Sequence, residues 1–498
     1  MMFGYTGIAI IFWACTTILV KGQSPEQFLE MGDKELASNA LEEAVALYQK
    51  GLEGLHGDES SSLVTAISLA TNLGTSLSEL GKEEESVEAY SQGLRHYQES
   101  FENISDLITR KDTTAIAAQA SFFLGMVYQD LGLAEKAANS YSYANTLDPM
   151  HWSSLANLGA LLQDHLKQHD DALLAYNKAY DILVQTSEEP TDAPEQPQYI
   201  LAELQYRIGN LLMLNAPDRK CALIDSPDQE VSCRELANYA MSLALKYDPN
   251  HEAAKHMLAT GTADATMTRA SNEYVKSLFD DYANNFEHSL VEELGYNGYE
   301  RLRQSFDRVF DGAPPVFKLV VDAGCGTGLA GDQFRNISDI LVGVDLSQAI
   351  LIEADTKRPN LYNETIVADL TQVFSEKAKM IDLIIAADSY IYFGDLEQLF
   401  AAMEQGLVDG GYAAFTLEKV EKEDQQLLDT TKPEWRWKLT ASGRFAHRQK
   451  YVEEIGFQHN LHLLHYQSID NFRSENGKGV DGHIFILQKT LTPDEQEL

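Results

Sequence analysis

The sequence predicts two architectures in series: an all-α superhelix of repeated helical pairs, followed by an α/β domain with a Rossmann-like, doubly wound sheet. Three observations carry that expectation. Small and aromatic residues recur on a frame of about 34 residues through the first half. From about Phe317, short β-branched runs alternate with helical stretches. A chain of 498 residues, 44% hydrophobic and 23% charged, is long enough for about three units with cores of their own.

Charge narrows the partners. Lys plus Arg number 38 against 76 Asp plus Glu, a formal net charge of −38. Such a surface repels phosphate backbones, and no Lys/Arg stripe with interleaved aromatics reverses the field locally, so nucleic acid is not expected as a partner. The four cysteines, Cys15, Cys221, Cys233 and Cys325, are too few for a disulfide scaffold, and no C-x-x-C spacing points to a metal.

The first segment, Phe3 to Val20, is an uncharged apolar run followed by Lys21-Gly22. It reads as a secretory signal cut after Gly22, which places the chain in the secretory pathway or endomembrane. The run is also just long enough for a signal anchor; with Lys21 as the nearest positive charge, that alternative leaves the body cytoplasmic.

Residues 25–261 carry the repeats. The best copy, Ala118 to His151, places Gly125, Tyr128, Ala137, Tyr141, Ala144 and Pro149 on the frame. Small residues let two helices approach closely, an aromatic fills the space between them, and Pro stops the second helix. Gly32, Ala44, Tyr48 and Gly51 fit one neighbouring copy, and Gly74, Tyr90 and Gly93 another. Trp152 opens a fourth, with Gly159, Tyr176 and Ala179. A fifth is split between Gly209 and the run Ala237, Met241, Ala244 and Pro249. The insertion that splits it holds Cys221 and Cys233 among Pro217, Asp218, Pro227 and Asp228, and reads as an irregular loop stapled by a disulfide in an oxidising compartment. Two unpaired thiols in a cytosolic protein are the alternative. Thr186 to Pro197 is a Pro- and acid-rich loop.

This pattern resembles the tetratricopeptide repeat, all six positions of the best copy matching. The resemblance implies about five repeats stacked into a superhelix whose groove docks a peptide or protein partner, or repeats that only stabilise or dimerise the chain.

The second half divides into a helical linker and lid (262–316), the α/β domain (317–490) and an acidic tail (491–498). Phe317 to Ala323 is a buried strand entering Gly324-Cys325-Gly326-Thr327-Gly328, then a helix to about Arg335. A dinucleotide site needs Gly or Ala where Leu329 stands, which disfavours NAD. Four strand ends carry acids in order: Asp322, Asp345, Asp369 and Asp388. A strand at Tyr412 to Leu417 and two late strands near His459 to His465 and His483 to Gln488 complete an expected seven-stranded sheet.

Together these residues resemble the class I S-adenosylmethionine-dependent methyltransferases, from about Tyr274 to Lys489. The resemblance implies S-adenosyl-L-methionine as cofactor. It implies that Asp322 fixes the turn and the methionine amino group, that Gly324, Gly326 and Gly328 admit the cofactor against bare backbone, that Asp345 holds the ribose and that Asp369 meets the adenine amino group. Cys325 is expected to pack as a small buried residue. Leu278 to Glu287, with Leu294-Gly295-Tyr296, resembles a helical lid in a methyltransferase subfamily that also bears tetratricopeptide repeats, which implies that Tyr282 and Phe286 close over the cofactor; core packing is the alternative. Gly443 to His447 with Tyr451 resembles that subfamily's substrate-side loop.

Methyl transfer chiefly requires alignment, plus a base where the acceptor carries a proton. Asp388 and His447 are the candidate bases, and Tyr390 a candidate for positioning the acceptor. Asp388-Ser389-Tyr390-Ile391 departs from the Asn-Pro-Pro-aromatic turn of the enzymes that methylate nucleic-acid amines. A small metabolite, a lipid quinone or a protein side chain all fit as acceptor. A scaffold that has lost turnover, or a non-methylating enzyme on the same fold, are the other functions such a chain accommodates.

Overall fold

The computed structural model describes all residues except 1–22, 56–59, 105, 188–195, 216–218, 224–225, 263, 265, 284–286, 288–289, 292–294, 476–477 and 491–498. The apolar N-terminal run, the acidic tail, Phe286 and most of the Thr186 to Pro197 loop lie outside the described residues. Among the described residues, no helix is long and apolar enough to cross a membrane. Packing divides the chain into two compact units, Met1–Leu211 and Leu212–Leu498.

The first unit is helical: α1 (Pro25–Ala37), α2 (Leu41–Glu53), α3 (Ser60–Glu79), α4 (Glu83–Ser100), α5 (Leu107–Asp130), α6 (Ala134–Leu147), α7 (Trp152–Asp164), α8 (His169–Ser187) and α9 (Gln196–Asn215), in which the division falls. Ser24, the N-cap, and Gln27 form a capping box across the first turn of α1, which Pro25 starts. Four helical hairpins share one contact. A methyl group on Gly32, Gly74, Gly125 or Gly159 would lie closer than 3.0 Å to the ring of Tyr48, Tyr90, Tyr141 or Tyr176, respectively. All four rings are buried, so the glycines are set by the closeness of the helices they join.

The second unit opens with strands β1 (Lys220–Leu223) and β2 (Ser226–Ser232), paired antiparallel. Cys221 and Cys233 are disulfide-bonded. The insertion is therefore a stapled hairpin and not the irregular loop its Pro and Asp content suggests: Lys220 to Ala222 finds a register against Glu230 to Ser232. Next come α10 (Cys233–Tyr247), α11 (Glu252–Thr262), α12 (Asn272–Tyr282) and α13 (Gly298–Val309). α10 and α11, which the sequence pattern attaches to the repeats, group with the second unit. There His256 of α11 is buried with Nε2 2.6 Å from the Gly443 carbonyl, its ring stacked on Tyr274.

The α/β part comprises β3 (Phe317–Ala323), α14 (Leu329–Phe334), β4 (Ser338–Asp345), α15 (Gln348–Lys357), β5 (Glu364–Val367), α16 (Leu370–Glu376), β6 (Ile381–Ala386), α17 (Glu397–Gly406), β7 (Leu407–Lys419), α18 (Lys422–Thr431), β8 (Trp437–Leu439), β9 (Phe445–His447), α19 (Gln449–Gln458), β10 (Leu461–Glu475) and β11 (Lys478–Lys489). The main path of the sheet runs β10-β11-β7-β6-β3-β4-β5. The strands from β3 to β7 are parallel, while β10 and β11 are antiparallel. That path has the seven expected strands. β9 adds parallel to the end of β7 and brings β8 with it, making nine.

Alternation along each strand splits the core between the two faces. Val321, Ile384 and Phe415 pack with α17 and α19 through Phe400, Met403 and Val452. Val320, Leu383 and Ile385 pack with α13 and α14 through Phe306 and Phe334. The order reverses between β3 and β6, so the loops after β3, β4 and β6 open into the crevice where doubly wound sheets bind ligands.

Candidate functional site

β3 delivers Asp322 and then the glycine turn. Gly324, Gly326 and Gly328 hold φ of 71°, 52° and 96°, a left-handed backbone that side chains rarely adopt. A Cβ on Gly324 would also collide with the Ser389 side chain. The turn therefore presents bare backbone beside the end of β6. Cys325 within it is buried, with its thiol pushed up by burial, and packs as the sequence suggests.

Asp322 is fully buried. Its Oδ2 accepts from the Tyr362 hydroxyl at 2.7 Å, while Oδ1 has no hydrogen-bond partner among the described residues. Burial pushes its carboxyl up to about 7, against the pull of the Tyr362 hydrogen bond. A buried carboxylate oxygen without a donor fits a cationic ligand group at the turn.

Asp345 ends β4, buried, with both oxygens on backbone amides: Oδ2 accepts from Gly326 at 3.0 Å and Oδ1 from Ser347 at 3.0 Å. It thereby ties the glycine turn to α15, whose first turn Ser347 caps. Each oxygen keeps a second lone pair, which suits a diol. The residues present thus fit the cofactor: a donor-starved acid, a bare backbone turn and a fixed acceptor.

Asp369 is placed differently. Its Oδ1 accepts from the Thr371 amide (2.8 Å) and hydroxyl (2.5 Å), which caps α16, and its Oδ2 pairs with Arg269. Burial acts to raise its pKa, but Thr371 and the Arg269 guanidinium outweigh burial and hold it below the usual carboxylate range. Both oxygens are already engaged at the position where the resemblance puts the adenine amino group.

Arg269 begins a strap across the strand ends. Thr268 O accepts from the Gly394 and Asp395 amides at 2.8 Å, and Ala270 N donates to Tyr392 O at 2.9 Å. The Arg269 guanidinium lies 4.2 Å from the centre of the Phe393 ring. Farther on, Asp280 accepts from the Ser347 hydroxyl at 2.5 Å, and Glu287 pairs with Arg358, which also donates to Thr327 O at 3.1 Å. Residues 268–270, Asp280 and Glu287 are thus tied in succession beside the ends of β6 and β5, of β4, and the glycine turn. Tyr282 is the last residue of α12, and its side chain lies outside the described residues, as does Phe286.

The candidate catalytic residues lie apart in character. Asp388, just after β6, has φ 59°; its amide donates to Thr416 Oγ1 at 2.8 Å, and its carboxylate faces Arg473. Tyr390 is fully buried, its hydroxyl 3.5 Å from Met403 Sδ in the core, and burial raises its phenol. That orientation points it away from an acceptor. His447 is buried as well; burial pushes it down to about 4, so it is neutral at pH 7. Its Nε2 lies 3.1 Å from the Gly394 carbonyl and must carry the proton, which leaves the lone pair on Nδ1, unpartnered among the described residues.

Tyr362, Arg269, Glu418 and Arg473 are absent from the sequence-level candidates, each reaching the site from a distant element without a motif. Among the described residues, no group of three or more His, Cys, Asp or Glu could hold a metal ion.

Residues 321–415 match the family described as "Methyltransferase domain", so the chain carries a methyltransferase domain over that stretch. A bovine (Bos taurus) 18S rRNA (guanine-N(7))-methyltransferase is 28% identical over 122 residues, 22% of this chain and 43% of that protein, so the chain spans less than half of that relative's length. Among solved structures, the magnesium protoporphyrin IX methyltransferase of Synechocystis with bound S-adenosylhomocysteine (15% identity, TM-score 0.31) is covered completely by 43% of this chain. The 1,6-didemethyltoxoflavin-N1-methyltransferase of Burkholderia thailandensis (13%, TM-score 0.35) is covered to 93% by 46% of it.

Proposed function

We propose that the protein is an S-adenosylmethionine-dependent methyltransferase acting on a small-molecule or protein acceptor, with its N-terminal helical hairpins serving as tetratricopeptide repeats that dock a protein partner. The observation that carries the reading is the pair of buried acids at the glycine turn, Asp345 fixing the Gly326 amide and Asp322 keeping one oxygen without a donor among the described residues. When bound, the cofactor supplies an electrophilic methyl group. The chain's own part is to hold the cofactor's amino group at Asp322 and its ribose at Asp345, and to exclude water beneath the strap.

The net charge of −38 argues against the RNA acceptor of the bovine relative's name. The shared Gly–Tyr contact of four hairpins supports the repeat reading, and the Cys221–Cys233 disulfide supports an oxidising, secretory location. One observation favours the scaffold reading: Asp369 is occupied by Arg269. Incubating the full chain with methyl-labelled S-adenosylmethionine and an extract separates the two. Label entering a protein or metabolite fraction supports the enzyme; cofactor binding without transfer supports the scaffold.

A further inference from the structure

Arg473 has the largest fully buried side chain among the described residues, and no solvent reaches its guanidinium. It forks across two strand ends. Nη1 lies 3.1 and 3.2 Å from the two oxygens of Asp388, after β6, and Nη2 lies 2.5 Å from Oε2 of Glu418, near the end of β7. Burying a guanidinium between two carboxylates is not a device for stability, since apolar side chains of the same volume hold a sheet at least as well.

Two further features surround it. The register of β10 against β11 shifts between Ile469 and Arg473, where a regular ladder would have continued; bulges of this kind re-aim a side chain next to active sites. Asp388 itself is held in the left-handed region, at φ 59°. The two irregularities fall at the two partners of the same ion pair.

The pair also sits on the right side of the crevice. Ser389 donates to Ala323 O at 2.7 Å and abuts Gly324, so Asp388, which pairs with Arg473, is one residue from the side chain that touches the glycine turn. The buried phenols of Tyr296 and Tyr392 both feel the Asp388 carboxylate and the Arg473 guanidinium, with burial as the main cause of their raised pKa. They remain neutral at physiological pH.

We propose that Arg473, together with Glu418, is a positioning residue that fixes Asp388 beside the glycine turn to receive the hydrogen bond, and then the proton, of an acceptor O–H or N–H. The inference rests on the methyltransferase reading above. Among the described residues, Arg473 is the donor to the Asp388 carboxylate, with one contact to each oxygen, and each oxygen keeps a second acceptor site. In the transfer, the bond from the acceptor's O or N to the methyl carbon forms as the carbon–sulfur bond breaks and its electron pair returns to sulfur; the acceptor's proton passes to Asp388. A weak base suffices, because the acceptor's hydrogen becomes strongly acidic as the new bond forms. The acceptor class is thus one that gives up a proton on methylation, a hydroxyl or an amine, rather than a thioether.

The test compares the full chain with Arg473→Met, Arg473→Lys and Asp388→Asn, reading S-adenosylhomocysteine affinity by calorimetry and transfer of labelled methyl into an extract. Transfer is expected to fall at least about a hundredfold in Arg473→Met and Asp388→Asn, with affinity within about threefold of wild type and Arg473→Lys recovering about tenfold over Arg473→Met. Transfer by Arg473→Met or Asp388→Asn close to wild type overturns the inference, as does a parallel loss of affinity and transfer, which marks a merely structural role. Asp388→Asn keeps the shape of the triad and decides the matter if Arg473→Met does not fold. If the wild type itself transfers nothing, the methyltransferase reading fails first and takes this inference with it.

Discussion

Replacing Asp322 with Asn is expected to stabilise the ligand-free protein while weakening its hold on the cofactor. Asp322 is fully buried, with one oxygen on Tyr362 and the other without a donor among the described residues. Its carboxyl is raised from 3.8 to about 7. The folded state therefore binds a proton more tightly than the unfolded chain, and stability falls as pH rises from about 4 to 7. The penalty is about 4 kcal/mol at pH 8 and about half that or less at pH 5, a cost that Asn, isosteric and uncharged, avoids. Scanning calorimetry of both proteins at the two pH values measures it, the relevant transition being the one that S-adenosylhomocysteine moves. The advantage of Asn should be several degrees at pH 8 and clearly smaller at pH 5. Binding runs the other way. The ligand's ammonium needs the ionised acid, so wild-type affinity should fall up to about tenfold per pH unit below pH 7 and level off above it. The variant should bind about ten- to a hundredfold more weakly at pH 8 with little pH dependence. An Asn variant that is less stable at pH 8, or that binds as tightly as wild type, refutes the reasoning.

Other expectations follow from single contacts. Gly125→Ala drives a methyl group into the Tyr141 ring and should destabilise the first unit by about 1–3 kcal/mol in urea unfolding without altering S-adenosylhomocysteine affinity. Removing the Cys221–Cys233 bridge, which closes a separation of 12 residues, by the double Ser substitution should cost about 3 kcal/mol in the chain-entropy model; reductant should reproduce the loss in wild type and change nothing in the variant. Arg269→Ala cuts the strap from Asp369, so stopped-flow binding should show S-adenosylhomocysteine entering and leaving at least about threefold faster. Unchanged rates would mean that the strap does not gate the crevice.

The glycine turn and its two acids were legible because the information is local. Gly324, Gly326, Gly328 and Asp322 fall within seven residues, and Asp345 ends the next strand along. The Gly–Tyr contacts of the hairpins were legible for the same reason, each pair lying on neighbouring helices. What stayed hidden came from far along the chain. Arg269 reaches Asp369 across 100 residues and Arg473 reaches Asp388 across 85; nothing in an alternating strand such as β10 marks one Arg as buried until the irregularity before it is seen. The β8–β9 hairpin has three residues in each strand, too few for periodicity to register. The orientation of Tyr390 is likewise a tertiary outcome: in the short turn after β6, the space against Met403 and Phe415 in the core takes the ring.

The most direct measurement is a calorimetric titration of the full-length protein with S-adenosyl-L-methionine and with S-adenosylhomocysteine, beside the Asp345→Ala variant. Saturable binding of one ligand per chain, weakened about ten- to a hundredfold by the substitution, is the expected result. A folded wild-type chain that shows neither heat of binding nor a shift in its melting temperature with either ligand would contradict the assignment of the crevice at β3, β4 and β6 as a methyl-donor site.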